Sequence, residues 1–266
     1  MRAMRVHELS DDIGSIELVE ADLPPPGEGE VRLKLKACSI NFPDLLMIQG
    51  KYQYKPDLPF SPGMEGSGIV TELGPGVDNV AVGDEVVAGL RVGGFAEEVN
   101  AAAAACRPIP KGMDFVKAAA YPAAYLTAYV ALVIRGNLKP GETLLVHGSA
   151  GGVGLAAVEV GKLLGATVIA TSASDDKLKT VKERGADHVL NVTKGFREQV
   201  KELTGGKGAD VIYDPVGGDV FDESVRCIGW NGRLLVIGFT SGRIPSVPIN
   251  MPLIKGFSVV GVRAGE

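Results

Sequence analysis

After Gly141, continuous apolar runs alternate with stretches of helical periodicity, and this alternation restricts the possible folds more than any other feature. The runs cover residues 143–146, 167–170, 211–213, 234–237 and 257–262. Strands that are apolar on both faces are typical of a parallel sheet covered by helices on each side. The second half of the chain is therefore predicted to be a doubly wound α/β domain.

The first half of the chain has a different pattern. Short runs such as 31–36 alternate apolar and polar residues, which is the period of a strand with one buried face. Proline and glycine turns separate these runs. This half is predicted to be a small, largely antiparallel β domain, with the alanine-rich residues 101–105 as a connection.

Composition excludes several classes of protein. The 266 residues carry a formal charge of -5 and no basic run, which argues against nucleic acid as a partner. The N-terminus lacks an apolar leader, and no stretch is long enough to span a bilayer, so a cytoplasmic protein with no membrane partner is expected. Three widely spaced cysteines, Cys38, Cys106 and Cys227, indicate neither a disulfide framework nor a zinc knuckle.

A glycine-rich turn lies between the strand that ends at His147 and a helix whose apolar residues follow i, i+3, i+4 spacing up to Gly165. Amides at a helix N-terminus stabilise a pyrophosphate, and small residues let the backbone approach it. The usual dinucleotide fingerprint has three glycines, and Ser149 replaces the first of them here. The predicted cofactor contacts in this turn are Ser149, Ala150, Gly151, Gly152, Val153 and Gly154.

The next strand indicates which dinucleotide is bound. NAD enzymes place an acidic residue at the tip of this strand to hold the ribose 2′-hydroxyl, but here the strand leaves through 171–174, which has no carboxylate. Ser172 and Ser174 are predicted to contact the cofactor, and Lys177 could reach a 2′-phosphate as a flexible cation. NADPH is therefore preferred to NADH. The alternative for Lys177 is a solvated residue in the first turn of the following helix.

With these residues identified, the chain resembles the medium-chain dehydrogenase/reductase superfamily, in its zinc-free quinone oxidoreductase (zeta-crystallin-like) branch. The resemblance covers essentially the whole chain and rests on the glycine turn together with 41–44, 50–52, 62–68, 83–86, 126–129 and 213–218. It implies a GroES-like β-rich substrate domain at 1–125, a Rossmann NADPH-binding domain at 126–266, and a cleft between them. It also implies a homodimer, and the apolar edge strand 257–262 favours one independently.

The resemblance also bears on zinc. Zinc-dependent relatives have a cysteine where this chain has Asn41 and a histidine where it has Met64, and neither replacement is a useful zinc ligand. Their cysteine-rich lobe is missing as well, since 90–99 contains no cysteine. No metal is expected.

Without zinc, the expected reaction is hydride transfer to a conjugated, already electrophilic acceptor. The resemblance places Asn41 and Tyr52 on the substrate side, where both could donate hydrogen bonds to the acceptor oxygen. The alternatives are a loop residue bonding its own backbone for Asn41 and a packing aromatic for Tyr52. One family tyrosine is replaced by Leu46, which leaves the identity of the acceptor open.

Further cofactor contacts are assigned through the resemblance. Thr127 is expected near the nicotinamide, and Gly238, Phe239 and Thr240 form the loop over the cofactor after the fifth strand. Asp214 either lines the cofactor site or shapes a turn. No catalytic role is assigned to His147.

Three hypotheses follow for function: an NADPH:quinone reductase, an enoyl or enone reductase that could act on a CoA thioester, and an NADPH-binding protein without catalysis. The family's chains continue past 257–262 and return to complete the substrate domain, whereas this sequence stops at Glu266. A C-terminally truncated member of the family is therefore expected.

Overall fold

The computed structural model describes residues 1–264 and divides the chain into two compact units, Met1–Ala123 and a second that begins at Ala124. The sequence-based boundary lies two residues later, after residue 125. In the described part of the chain, every helix is too short or too polar to cross a membrane.

The first unit is built from antiparallel strands. Five of them form a sheet in the order β6-β3-β4-β5-β7, and β1 pairs with β2 in a separate ribbon. The elements of this unit are β1 (Arg2–Val6), β2 (Ile16–Glu20), β3 (Glu30–Cys38), α1 (Phe42–Ile48), β4 (Glu65–Leu73), β5 (Glu85–Gly89), β6 (Glu98–Ala102), β7 (Cys106–Pro108) and α2 (Phe115–Ala120).

The alternating pattern of residues 31–36 lies in β3 as predicted. Val31 and Leu33 are fully buried in the core, whereas Lys34, the next residue along the strand, is exposed. The prediction for residues 101–105 was partly wrong, because Ala101 and Ala102 continue β6 and pair with β3. Alanine has a low intrinsic preference for β-strands, so the strand conformation of these residues depends on their pairing with β3.

The second unit has a six-stranded, wholly parallel sheet with the order β10-β9-β8-β11-β12-β13. This order confirms the doubly wound α/β prediction. Its elements are α3 (Pro122–Tyr129), which starts at the boundary, then β8 (Thr143–Val146), α4 (Gly152–Leu163), β9 (Thr167–Ser172), α5 (Asp175–Glu183), β10 (His188–Asn191), α6 (Arg197–Leu203), β11 (Ala209–Asp214), α7 (Gly218–Cys227), β12 (Ile228–Val236), α8 (Asn250–Lys255) and β13 (Ser258–Gly261).

Helices cover both faces of this sheet, which is why its strands are apolar throughout. Leu144 and Val146 face the core beside α4, whereas Leu145 faces the core on the opposite side of the sheet. The predicted end of α4 is also confirmed, since Gly165 has φ +79° in the left-handed region. The last strand is shorter than the predicted 257–262, since β13 covers only Ser258–Gly261, and Phe257 before it is buried in the core.

One buried polar group in this core is left without a partner. The Tyr213 side chain on β11 is fully buried, and among residues 1–264 its hydroxyl has no hydrogen-bond partner. Burial raises the pKa of this phenol, so the group is neutral. Tyr125, which packs against the same core, donates its hydroxyl to Glu159.

We expect Tyr213→Phe to stabilise the protein by about 1 kcal/mol, because it removes a hydroxyl that lost its water partners on folding. Tyr125→Phe is the matched control and should destabilise it, since that hydroxyl is bonded. The free energy of unfolding in urea measures both. A loss of stability in Tyr213→Phe would contradict the assignment of an unsatisfied hydroxyl.

Candidate functional site

The glycine turn of the second unit brings a helix very close to the end of a strand. Gly148 has φ +54°, a conformation that glycine adopts without strain. A Cβ on Gly154 would lie 2.3 Å from the Gly148 carbonyl oxygen and 2.7 Å from the Ser149 Cα. No side chain can therefore be accommodated at position 154, and the helix begins directly above the strand.

The N-terminus of α4 is suited to bind an anion. Gly151 is its N-cap and provides no side-chain hydrogen bond, and the first turn has no acidic residue. By helix geometry, the amides of Gly152, Val153 and Gly154 have no acceptor within the helix. These amides and the positive end of the helix dipole can stabilise a pyrophosphate, so this part of the chain fits a dinucleotide.

Ser149 has a different position from the other residues of the turn. Its side chain is fully buried, its hydroxyl donates to the Thr171 carbonyl oxygen at 2.9 Å, and its N–H donates to the same oxygen at 3.1 Å. Neither hydrogen is available to a phosphate. Ser149 therefore joins the turn to the end of β9, and Ala150 beside it is half-buried against the core.

The residues after β9 have one unpaired positive charge. Ser174 is the N-cap of α5 and accepts the N–H of Lys177 at 3.4 Å. Two acids follow, but Asp175 accepts a hydrogen bond from Asn191 at 2.7 Å and Asp176 forms an ion pair with Lys179 at 2.8 Å. The Lys177 side chain is exposed, and its ammonium has no ion pair within residues 1–264. This arrangement favours a phosphate more than a ribose hydroxyl.

Ser172 is half-buried at the end of β9, and its hydroxyl accepts the N–H of Ser174 at 3.4 Å. Together these two serines form the short polar connection into α5. The structure thus places Ser172, Ser174 and Lys177 on one continuous segment that follows β9.

The loop after β12 lies along the segment after β11. Thr240 donates its N–H to the Pro215 carbonyl oxygen at 3.1 Å, and a Cβ on Gly217 would lie 2.9 Å from the Phe239 ring. Gly238 and Phe239 are half-buried and Thr240 is exposed. Because β8, β11 and β12 are parallel, this loop and the glycine turn lie at the same edge of the sheet, where α/β folds bind ligands.

Asp214 shapes the turn beneath this loop. Its carboxylate accepts the N–H groups of Val216 at 2.8 Å and Gly217 at 2.9 Å. Burial raises the pKa of this carboxyl, and the two amides partly oppose the shift. Of the two roles left open by the sequence, the contacts favour turn formation.

Thr127 is half-buried on α3, between the core residues Ala124 and Ala128. These alanines belong to the same core cluster as Ala156 and Ala157 of α4. Thr127 is therefore carried by a helix that contributes to the core on which the helix of the glycine turn also packs.

In the first unit, Asn41 belongs to a partly buried polar network centred on the buried Glu65. Its amide nitrogen donates to the Ser39 hydroxyl oxygen at 2.9 Å and to Glu65 Oε1 at 2.8 Å. Ser39 also donates to Glu65 Oε1, and the other carboxylate oxygen accepts the N–H of Ala123 at 2.8 Å. Both amide hydrogens of Asn41 are thus in use, and donation to a substrate would require one of these bonds to open.

Asp44 holds the start of α1. Its carboxylate accepts the Asn41 N–H at 2.8 Å and the Gly63 N–H at 3.1 Å, and the residue is almost fully buried. Burial raises the pKa of this carboxyl against the effect of these amides. Asp44 therefore has a structural part in placing Asn41.

Sequence reasoning assigned no role to Ser39 or Glu65, although these two residues anchor Asn41. The available signal was Glu65, an acid within an otherwise small and apolar segment that becomes the buried half of β4. A buried carboxylate needs hydrogen-bond donors, but the sequence does not identify which residues supply them.

Tyr52 lies in the turn that follows α1, and its N–H donates back to the Leu46 carbonyl oxygen of that helix at 3.2 Å. The ring is half-buried against a small cluster formed by Val6, Met47, Ile48 and Phe60, to which Met64 also belongs. Tyr52 is therefore held firmly in place while part of its surface remains accessible.

The residues of this region do not fit a zinc ion. Asn41 and Met64 offer an amide and a thioether, which are neutral and poor zinc ligands. Both oxygens of Glu65 already accept hydrogen bonds. Within the described residues, no three His, Cys, Asp or Glu side chains form a group that could hold a metal.

Comparison with known proteins relates both units to dehydrogenases. Residues 27–111 match the family model described as alcohol dehydrogenase GroES-like domain, and residues 152–266 match the one described as zinc-binding dehydrogenase. A quinone oxidoreductase-like protein 2 homolog from Nematostella vectensis is 45% identical over 242 residues, 90% of this chain and 66% of that protein. Mouse (Mus musculus) quinone oxidoreductase-like protein 2 is 42% identical over 244 residues, 91% of this chain and 70% of that one.

The chain thus spans about two thirds of the length of these relatives. Among solved structures, the Escherichia coli quinone oxidoreductase complexed with NADPH aligns with a TM-score of 0.92 at 32% identity, covering 99% of this chain and 81% of that one.

We expect Gly154→Ala to destabilise the protein by about 1–3 kcal/mol, because the new methyl group would clash with backbone atoms that cannot rotate away. Gly152→Ala is the matched control, since a Cβ there meets nothing within 4 Å, and its stability should stay within about 0.5 kcal/mol of the wild type. Urea unfolding followed by circular dichroism measures both. Equal stabilities would contradict the close approach at position 154.

Proposed function

This chain belongs to the quinone oxidoreductase branch of the medium-chain dehydrogenase/reductase superfamily, and we propose that it reduces quinones by hydride transfer from NADPH without zinc. The observation that carries this proposal is the uncapped glycine turn together with the segment after β9, which has an unpaired lysine and no carboxylate at the tip of the strand.

The contacts around β9 support NADPH as the cofactor. The amides of Gly152, Val153 and Gly154 would bind the pyrophosphate, and Lys177 with Ser172 and Ser174 would bind the 2′-phosphate. The Gly151 N–H already donates to the Gly148 carbonyl oxygen at 3.0 Å, so Gly151 would contribute only its small size. Asp175 and Asp176 could otherwise compete for the ribose, but each already has a partner. The Escherichia coli relative, which is described as complexed with NADPH, supports the same choice.

The remaining contacts are assigned to the nicotinamide half of the cofactor. We propose that Thr127 approaches this half and that Gly238, Phe239 and Thr240 cover it from the loop after β12. That loop is held by backbone hydrogen bonds to the segment after β11, so its position is set by the fold itself.

When bound, NADPH supplies a hydride from its nicotinamide ring. A quinone that accepted this hydride and then one proton from solvent would become the hydroquinone. As negative charge develops on the quinone oxygen, a hydrogen-bond donor stabilises it. We propose the Tyr52 hydroxyl for this task, with Asn41 beside the acceptor, oriented by Ser39 and Glu65.

Zinc independence is supported by the donor set of the first unit. A conjugated acceptor such as a quinone is electrophilic enough to accept hydride without a Lewis acid, whereas a simple ketone is a weaker electrophile that a metal ion would polarise. A donor set unsuited to zinc, in a chain with a dinucleotide turn, therefore favours a conjugated acceptor, and we propose a quinone. Enones and enoyl-CoA thioesters share this electronic property and are the alternative acceptors.

The open edge of β13 supports a homodimer. Within residues 1–264, β13 pairs with β12 alone, and Val259 on it is 40% exposed. We propose that two copies associate through this edge, since an unpaired apolar strand is prone to pair with another chain.

The assay for this function is NADPH oxidation with an ortho-quinone, an enone and an enoyl-CoA as separate acceptors. We expect turnover to be fastest with the quinone and unaffected by a metal chelator. Tyr52→Phe should lower kcat/KM roughly tenfold or more because one hydrogen bond to the developing oxyanion is lost. Tyr54→Phe is the matched control, with a phenol two residues away that is outside the proposed contact.

Several outcomes would reject parts of this proposal. Inactivation by the chelator would rule out the zinc-free reaction, and a preference for the enone or enoyl-CoA would replace the quinone as substrate class. NADPH binding without oxidation by any acceptor would leave a cofactor-binding protein without catalysis.

Lys177→Ala should raise KM for NADPH about tenfold and leave KM for NADH nearly unchanged, because only NADPH carries the 2′-phosphate. Lys182→Ala is the matched control on the same helix, since that ammonium donates to the Asp187 carbonyl oxygen and is not part of the proposed phosphate site. Steady-state kinetics with both cofactors measures the difference. Equal effects on both cofactors would remove Lys177 from the phosphate site.

A further inference from the structure

Three buried polar side chains form a continuous chain through the core of the second unit. His147 at the end of β8 contacts Thr171 Oγ1 through Nδ1 at 2.9 Å and Ser224 Oγ through Nε2 at 2.8 Å. None of the three side chains is more than 1% exposed. They connect β8, β9 and α7, and Phe196 packs against the imidazole with ring centroids 4.9 Å apart.

The hydrogen positions in this chain follow from its far end. The Ser224 hydroxyl donates to the Val220 carbonyl oxygen at 2.7 Å, so its oxygen must accept from His147 Nε2. The imidazole therefore carries its hydrogen on Nε2, and Nδ1 accepts from the Thr171 hydroxyl. Burial lowers the pKa of His147 to about 3, so the imidazole is neutral. Every hydrogen in the chain has an acceptor.

Thr171 connects this chain to both sides of the glycine turn. Its hydroxyl bonds to His147, which precedes Gly148, and its carbonyl oxygen accepts both the N–H and the hydroxyl of Ser149, which follows it. The end of β9 is thus bonded to the two residues that flank the positive-φ glycine. One residue later, Ser172 begins the segment that carries Ser174 and Lys177.

From this arrangement we propose that the Thr171–His147–Ser224 chain is a positioning device that sets the distance between the pyrophosphate-binding turn and the segment that selects the 2′-phosphate. The inference rests on the proposed binding of NADPH to the glycine turn. A rigid spacing matters because NADPH must reach both anchors at once, whereas NADH gains little from the second.

Stability alone does not explain a polar chain in this place. The surroundings are apolar, with Leu145, Ile169 and Phe196 in the same core cluster. Apolar side chains that replaced all the partners could be equally stable, since a buried hydrogen bond gains little net free energy. Hydrogen bonds are directional, however, and a satisfied network defines one geometry. The chain therefore serves to fix the position of β9 against the turn.

The test compares Thr171→Val, which keeps the shape and removes the hydroxyl, with Thr171→Ser, which keeps the hydroxyl. We expect Thr171→Val to raise KM for NADPH roughly tenfold with kcat within about twofold of the wild type. KM for NADH should change much less, so the preference for NADPH falls. Thr171→Ser should restore the wild-type preference.

Val200→Ala is the matched control, because Val200 is a fully buried apolar residue of the same core cluster. It should lower the free energy of unfolding without changing the cofactor preference. If Thr171→Val does not fold, Ser224→Ala removes the acceptor at the far end and should lower the same preference. In nitrogen-15 histidine spectra, the wild-type His147 should show the Nε2–H tautomer.

An unchanged cofactor preference in Thr171→Val and Ser224→Ala would overturn the inference while leaving the proposed function intact. An equal shift in Val200→Ala would also overturn it, because general loosening of the core would then be sufficient. A wild-type protein that binds no NADPH would overturn both the inference and the proposed function.

Discussion

The contact between the start of α4 and the end of β8 is the constraint on which the second unit depends. The backbone of Gly148 and Ser149 occupies the space that a side chain on residue 154 would need. The helix can therefore approach the strand this closely only because residue 154 is glycine. This approach leaves the first amides of the helix without acceptors at the edge of the sheet where the loops after β9, β11 and β12 also emerge. Anion binding is thus a consequence of the packing of one helix on one strand.

The first unit has a comparable centre in the Glu65 carboxylate. It is buried, and it accepts hydrogen bonds from Ser39, Asn41 and Ala123. Its oxygens are satisfied by hydrogen-bond donors of the protein itself. The bonds that satisfy this carboxylate also orient Asn41, so the burial of one acid and the placement of the amide have one physical cause.

Buried ionisable groups in both units meet the cost of burial in different ways. Asp44 and Asp214 are buried carboxyls whose amide partners compensate part of the cost of burial. His147 avoids the cost by remaining neutral. In each case the group holds a turn or a strand end.

Much of the fold could be predicted from sequence because periodicity and turn chemistry are local properties. The apolar runs indicated a parallel sheet, and Gly165 marked the end of α4. The alanines at 101–102 were misjudged because their strand depends on pairing with β3, which is not a local property. The candidate site was predicted less fully. Ser149 occupies a position of the dinucleotide motif, but its hydroxyl and N–H both donate to the Thr171 carbonyl oxygen and so are not available to the cofactor.

The sequence by itself determined the class of the fold, the place of the glycine turn and the absence of a carboxylate at the tip of β9, because each follows from residue type and order along the chain. Only the tertiary structure decided which groups are already bonded. Three pairs of side chains that are distant or unremarkable in sequence form bonds in the fold: Asn41 with Glu65, Asp176 with Lys179, and Thr171 with His147. Hydrogen-bonding capacity is limited, so a donor used within the fold is not available to a ligand, and the sequence cannot show which donors are used.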